Sequence, residues 1–294
     1  MNRAASKLEF RLLHPGFAAE ARGLELRRVE DRETLDALRA GMDAHGVLVF
    51  REQPLSDAEL LEFAQRFDGT LHAKTGASVL GRNRFGNEAL TDISNLDETG
   101  RILDTNDRRR AYSLGNRLWH TDASFQDPPG RYSMLSARVV PEVPADTEFA
   151  DMRAAWDALA VAERQKLAGL QAHHSIAYSR RTLGFEFSDD EEGRLKGAVH
   201  PLVRTNPRTG RRSLYLASHA SRIVGWPVPD GRLLLRELIE RATQPAFVYR
   251  HEWRTGDLVI WDNLATMHRG RAYDDAKHRR ELRRVTTLDI PAPR

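Results

Sequence analysis

The sequence predicts an α+β chain with a mainly β core, a barrel or jelly roll flanked by helices. Three observations carry that reading. Helical spacing is confined to the early part of the chain and to a central insert. The last third is a succession of short, closely spaced strands. Strands also frame both segments that hold candidate metal ligands, around His120 and His268.

Taken in order, Thr34 to His45 reads as a helix with Leu35, Leu38 and Met42 on one face and Gly46 as its stop. Val47-Leu48-Val49-Phe50 is wholly apolar and short, which fits a buried strand. Ser56-Asp57-Ala58-Glu59 is a capping box, followed by Leu60, Phe63, Ala64 and Phe67 at helical spacing. Residues 70–117 are rich in Gly, Asn and charge and read as loops, placed to cover a site that follows them. Tyr132 to Val140 reads as a strand, and Asp151 to Leu159 as a helix with Met152, Ala155, Trp156 and Leu159 inward. Residues 175–200 are mixed and form a second lid-like stretch, with Asp189-Asp190-Glu191-Glu192 expected as an exposed loop. Arg232 to Arg241 is a helix burying Leu234, Leu235, Leu238 and Ile239. Phe247, Tyr249, His251 and Trp253 alternate on one strand face. Thr255-Gly256-Asp257 turns the chain, Leu258 to Trp261 returns, and Arg280 to Leu288 is the last strand. No repeat, low-complexity segment or linker divides the chain, so residues 1–294 are expected to form a single domain.

Composition narrows the function classes. There are no cysteines, which excludes disulfides and thiolate-bound zinc or iron–sulfur sites. The net charge is +3 and the pI about 9.3, with arginine rather than lysine supplying most of the basic groups. Acidic residues interleave with them, and Arg108-Arg109-Arg110 lacks the aromatics and glycines of an RNA-binding module, so it reads as a salt-bridged surface and no nucleic-acid partner is expected. No segment approaches a membrane span and the N-terminus lacks a secretion signal; a cytoplasmic protein without a membrane partner is expected.

Two distant stretches carry the chemistry. Trp119-His120-Thr121-Asp122 puts an imidazole and a carboxylate two positions apart, on the same side of an extended strand. Met267-His268 offers a second imidazole. Two histidines and one carboxylate on one face of a metal leave the other face open, the arrangement of non-heme Fe(II) oxygenases. A His-x-Asp alone is a weak signal in a chain with 11 histidines; its position beside a barrel rim and an arginine cluster strengthens it. On the last strand Arg280, Leu282 and Arg284 share one face, while Arg279, Glu281 and Arg283 share the other. Guanidinium groups facing a barrel interior are costly unless they meet anions, and their planar fork matches a carboxylate. An open metal site beside two inward arginines therefore suggests two carboxylate ligands, a co-substrate and a small-molecule acid. Spacing alone does not say which pair faces inward.

Over nearly its whole length the chain resembles the Fe(II)/2-oxoglutarate dioxygenases of the taurine dioxygenase and 2,4-dichlorophenoxyacetate dioxygenase group. The resemblance lies in Leu13-His14-Pro15, Val47 to Arg51, Asp92-Ile93-Ser94-Asn95, Leu118 to Phe125, Tyr132 to Ala137, Asp146 to Arg153, Gly256 to Asn263 and the arginine cluster. The Tyr132 and Asp146 stretches look closer to the phenoxyacetate branch, although Pro144-Ala145 stands where that branch usually has two glycines. The resemblance implies a double-stranded β-helix. It implies His120, Asp122 and His268 as catalytic iron ligands, Thr147 and Arg280 at the distal carboxylate of 2-oxoglutarate, and Arg284 at the substrate's anionic group. Arg279 and Arg283 stay as the competing pair. Lys74, His72 and Asn95 lie in the lid-like stretch as candidate substrate contacts, and Phe185, Phe187 and Trp226 as candidates for an aromatic pocket. His173 and His174 are not expected to ligate metal, and Trp261 is expected in the core.

The implied activity uses Fe(II), 2-oxoglutarate and O2 to hydroxylate an aryloxyalkanoate, releasing a phenol, a 2-oxo acid, succinate and CO2. An alkylsulfonate such as taurine, or another organic or amino acid, is the alternative substrate. Members of such families often assemble as homo-oligomers; nothing in these residues marks an interface.

Overall fold

Seven strands form the largest sheet of the computed structural model, which describes residues 8–73 and 84–290. In spatial order they are β1 (Glu9–Leu12), β2 (Ala19–Arg22), β3 (Val47–Phe50), β13 (Leu258–Asp262), β5 (Gly130–Val139), β15 (Glu281–Leu288) and β4 (Thr91–Ser94). Among the described strands only β2 and β3 pair in parallel. The apolar run Val47 to Phe50 becomes β3 because it lies inside the sheet with both faces covered, where alternation would be wrong.

The two faces are buried against different partners. Leu48, Phe50, Met134, Leu258, Ile260 and Val285 meet α1 (Arg32–His45) and α2 (Asp57–Asp68). Asp31 caps α1 through the Thr34 amide, and Gly46, at φ +70°, ends it in a left-handed turn that a side chain would strain. The Ser56–Glu59 capping box starts α2 as its sequence predicts. Leu38, Met42, Phe63 and Phe67 are fully buried here, each worth roughly 1.5–3 kcal/mol of apolar burial.

The other face carries Val47, Val49, Leu135, Ala137, Val259, Trp261 and Leu282, packed on Phe149, Tyr249 and Trp253. Phe149 and Tyr249 belong to a three-stranded antiparallel sheet, β12 (Val248–His251), β6 (Thr147–Asp151) and β14 (Thr266–Gly270). The functional residues lie in this space between the two sheets. Behind the smaller sheet, Met152 and Trp156 of α4 (Met152–Asp157), Leu167 of α5 (Val161–Leu167) and Leu235 and Leu238 of α8 (Val228–Ala242) form a further core. A third sheet of β11 (Ala220–Ile223), β7 (Gln171–His174) and β8 (Ala198–Pro201), and a pair of β9 (Val203–Thr205) with β10 (Arg212–Leu214), complete the strands.

Three stretches differ from expectation. The polar Thr91–Ser94 becomes β4, because an edge strand needs only backbone partners on β15. Within the same loop-rich region, α3 (Arg108–Ser113) forms behind an Asp107 cap. The acidic run expected as a loop starts α7 (Asp189–Gly193). Ser188 and Glu191 close a capping box there, and the buried Glu191 takes both terminal nitrogens of Arg108, at 3.0 and 2.9 Å. Charge at a helix N-terminus and a distant guanidinium together make that run structural. No described helix is long and apolar enough to cross a membrane.

Candidate metal centre and its two cavities

His120 and His268 are brought together by backbone pairing. Each donates its amide to the other's carbonyl, at 3.0 and 2.8 Å, in an isolated antiparallel bridge. On β14 the alternation sends Met267 into the core behind the small sheet, while His268 points into the space between sheets, 4.6 Å centroid to centroid from Trp261. Asp122 follows two residues after His120. One potential ligand atom from each of His120, Asp122 and His268 lies within 4.8 Å of the others, and all three residues are buried.

The electrostatics suit a cation. Burial pushes His120 down to about 4 and holds His268 well below its ordinary value, so both imidazoles are neutral near pH 7 with a lone pair to offer. His120 Nδ1 lies 2.8 Å from the Leu118 carbonyl, which fixes that nitrogen as the N–H and leaves Nε2 toward Asp122, 3.8 Å away. For Asp122, burial opposes the charge. Arg284, the two imidazoles and the Ser133 hydroxyl more than offset it, holding the carboxyl down at about 2. Two buried neutral imidazoles converging on a buried carboxylate fit a divalent metal with open positions. The described protein atoms supply only Arg284 as counter-charge, its Nη1 donating to Asp122 Oδ1 at 2.5 Å.

Two cavities meet at this point. The smaller, about 130 Å³, is lined by Thr147, Arg280, Arg284, Leu135 and Trp261 together with His120 and His268. The larger, about 620 Å³, is lined by His120, Asp122, Arg284, Phe125, Tyr112 and Arg180. The pairs left open by spacing separate here: Arg280 and Arg284 line the cavities, Arg279 is exposed, and Arg283 packs on the opposite face, its guanidinium 3.8 Å from the Phe85 ring centre. Burial weakens the charged form of Arg280, with Tyr273 and Asp146 as the groups that favour it. Thr147 Oγ1 accepts from the Trp253 indole at 3.0 Å.

Asn95 lines the smaller cavity, but its polar atoms are occupied. Its amide donates to the Asp275 and His278 carbonyls, and its oxygen accepts from the Arg280 amide at 2.9 Å. It holds the approach to Arg280 rather than offering a free group to substrate. Lys74 lies outside the described residues. His72 is buried on the wall of the larger cavity. The aromatic pocket is built differently from expectation: Phe185 and Phe187 pack edge-on against Tyr112 from behind the cavity wall, and Trp226 is exposed at 43%. Tyr112, Phe125 and Ile176 line the cavity instead.

Sequence reasoning missed the groups that orient the ligands. Ser133 donates to Asp122 Oδ2 at 2.8 Å; Asn263 accepts from the Asp122 amide at 3.1 Å and donates to Ser133 at 2.9 Å. His219 is buried against His120, its Nδ1 2.8 Å from Ser179 Oγ. These are single polar residues without a spacing signature, and only their contacts identify them.

The family model described as taurine catabolism dioxygenase TauD, TfdA family matches residues 9–286. An alpha-ketoglutarate-dependent 2,4-dichlorophenoxyacetate dioxygenase of Cupriavidus pinatubonensis is 46% identical over 94% of this chain and 96% of its own. An (S)-phenoxypropionate/alpha-ketoglutarate-dioxygenase of Sphingobium herbicidovorans is 34% identical over 90% of this chain and 89% of its own. The crystal structure of AAD-2 in complex with Mn(II) and N-oxalylglycine superposes with a TM-score of 0.91 at 42% identity, covering 96% of this chain and 97% of that one.

Proposed function

The chain belongs to the taurine catabolism dioxygenase TauD, TfdA family and is an iron- and 2-oxoglutarate-dependent dioxygenase; on that premise we propose that its substrate is an aryloxyalkanoate and assign its residues to roles. The observation that carries the assignment is that His120, Asp122 and His268 converge where two cavities meet, one small and arginine-capped, one larger and partly aromatic. The core is a double-stranded β-helix in a single domain, with residues 84–117 and 175–200 supplying walls above the site. A cytoplasmic enzyme acting on a free small-molecule acid fits the chain, with neither nucleic acid nor membrane as partner.

When bound, Fe(II) with 2-oxoglutarate supplies the activation of O2, the co-substrate leaving as succinate and CO2 while one oxygen atom passes to the organic acid. His120, Asp122 and His268 would hold the metal, leaving coordination positions for the co-substrate. Thr147 and Arg280 bind the distal carboxylate of 2-oxoglutarate at the end of the small cavity. The Trp253 indole donates to Thr147 Oγ1, leaving the Thr147 hydrogen free to point at that carboxylate. Arg284 meets the anionic group of the substrate and so sets which carbon lies nearest the metal. Hydroxylation of the carbon beside the ether oxygen gives a hemiacetal, which falls apart to a phenol and a 2-oxo acid. The cavity walls keep bulk water away.

A panel of phenoxyacids and alkylsulfonates, assayed for succinate release with Fe(II) and 2-oxoglutarate, tests the substrate class. Phenoxyacids should drive turnover and yield a phenol in equal amount. Faster succinate release with taurine-like sulfonates than with any phenoxyacid overturns the aryloxyalkanoate reading.

A further inference from the structure

Four arginines are buried among the described residues: Arg131, Arg153, Arg180 and Arg283. Three of them face a carboxylate, Arg131 with Asp262 at 3.0 Å, Arg153 with Asp151 at 2.9 Å and Arg283 with Glu281 at 2.7 Å. Arg180, on α6 (Ile176–Arg181) and 3% exposed, forms no ion pair among the described residues. Its Nη2 donates to Asn116 Oδ1 at 3.2 Å, its Nη1 reaches Ser179 Oγ only at 3.4 Å, and its Nε has no partner.

The guanidinium is nevertheless seated with care. It lies over the Tyr112 ring, 4.5 Å from the centroid. It also lies against Gly115, where an added Cβ would fall 2.1 Å from Nη1. Any side chain at residue 115 would displace it. Arg180 and Tyr112 both line the larger cavity beside His120 and Arg284, and the buried Tyr112 hydroxyl has no hydrogen-bond partner among the described residues. Burial weakens the charged form of Arg180. A buried guanidinium without a counter-ion costs several kcal/mol, which the fold tolerates when a ligand supplies the anion. Arg284 has Asp122 for that purpose; Arg180 forms no such pair among the described residues.

We propose that Arg180, with Asn116 and the Tyr112 hydroxyl, is an anion-binding subsite of the larger cavity that takes the carboxylate of the organic acid and selects acids over neutral aryl ethers. This deepens the aryloxyalkanoate reading and rests on it. Arg284 serves as a second donor to the same acid from the metal side.

The test titrates the metal-free protein by calorimetry with 4-chlorophenoxyacetate and with neutral 2-(4-chlorophenoxy)ethanol. Wild type should prefer the acid by about 30-fold or more, the gain expected of a charge-assisted hydrogen-bonded pair. Arg180→Gln should cut that preference to about threefold or less while binding the alcohol as before, and Arg180→Lys should restore part of it. In the iron-loaded enzyme, Arg180→Gln should leave KM for 2-oxoglutarate within about twofold, as expected of a residue outside that pocket. Retention of the full acid preference by Arg180→Gln, or equal loss of both ligands, overturns the proposal. If wild type binds neither aryl ligand, the substrate reading falls, and ligand-free stability judges Arg180 by itself. Arg180→Met, which keeps volume and removes the unpaired charge, should melt no lower than wild type. A fall of more than about 5 °C would make Arg180 a structural residue and overturn the subsite.

Discussion

β15 carries arginine on both faces, and the protein treats the two faces in opposite ways. On the helix side Arg283 is 8% exposed, bonded to Glu281 at 2.7 Å, with Asp57 and Asp92 at 3.6 and 3.9 Å and the Phe85 ring beneath it. The fold itself neutralises that charge. On the side facing the smaller sheet, Arg284 meets only Asp122, and Arg280 forms no ion pair among the described residues. Alternate residues of this segment thus separate into a cation that the fold itself pairs and cations that line the cavities, whose proposed partners are ligands. A binding arginine differs from a structural one by what the protein leaves unpaired around it.

The strongest break in that comparison comes at the metal. His120→Ala removes a donor from a buried cluster whose neighbouring imidazole, His219, stands outside the ligand group and is engaged by Ser179. Mn(II) or Fe(II) affinity should fall by more than about 100-fold, beyond the loss of an outer-sphere partner, with turnover falling below detection and far-UV circular dichroism unchanged. Undiminished metal binding would remove His120 from the site.

The two faces are separated more finely by a matched pair of substitutions. Arg280→Gln should raise KM for 2-oxoglutarate by about 10- to 100-fold, the equivalent of losing one charge-assisted contact, with a near-normal denaturation midpoint. Arg283→Gln should do the reverse, lowering unfolding free energy by about 1–2 kcal/mol as Glu281 loses one of its two guanidinium partners and keeps Arg84, with both KM values nearly unchanged. Equal KM effects for the two variants would erase the distinction and bring Arg283 back as a ligand contact.

The smallest effect extends the comparison to an anion. Asp68 accepts from the Thr287 hydroxyl at 2.8 Å, and burial pushes its carboxyl up to about 6, with Arg131 and Arg208 too weakly placed to offset it. The folded state therefore keeps a proton that the unfolded chain has released between the ordinary carboxyl value of 3.8 and about 6. Stability falls as pH rises through that window, by at most about 3 kcal/mol above it. Asp68→Asn should accordingly be more stable than wild type in urea at pH 8, with the advantage shrinking toward pH 4. An advantage that stays constant with pH would contradict the raised carboxyl.

The sequence by itself determined the best-patterned helices and strands and the ligand candidates, because these depend on local rules. Period and capping chemistry mark Thr34 to His45 and Ser56 to Phe67, apolar runs mark β3 and β13, and His-x-Asp marks two ligand candidates, although Asp122 lies in a turn after the His120 bridge rather than on an extended strand. The arginine pair stayed undecided there, since i and i+4 spacing is the same for Arg279/Arg283 as for Arg280/Arg284. Tertiary structure decided it by packing one face of β15 on α2 and Phe85 and the other on the smaller sheet. Tertiary structure also paired His120 with His268, turned an acidic run into a helix start that binds Arg108, and left Arg180 without a counter-ion among the described residues. Each of those outcomes depends on which distant backbone lies within a few ångströms, and that is a property of chain topology.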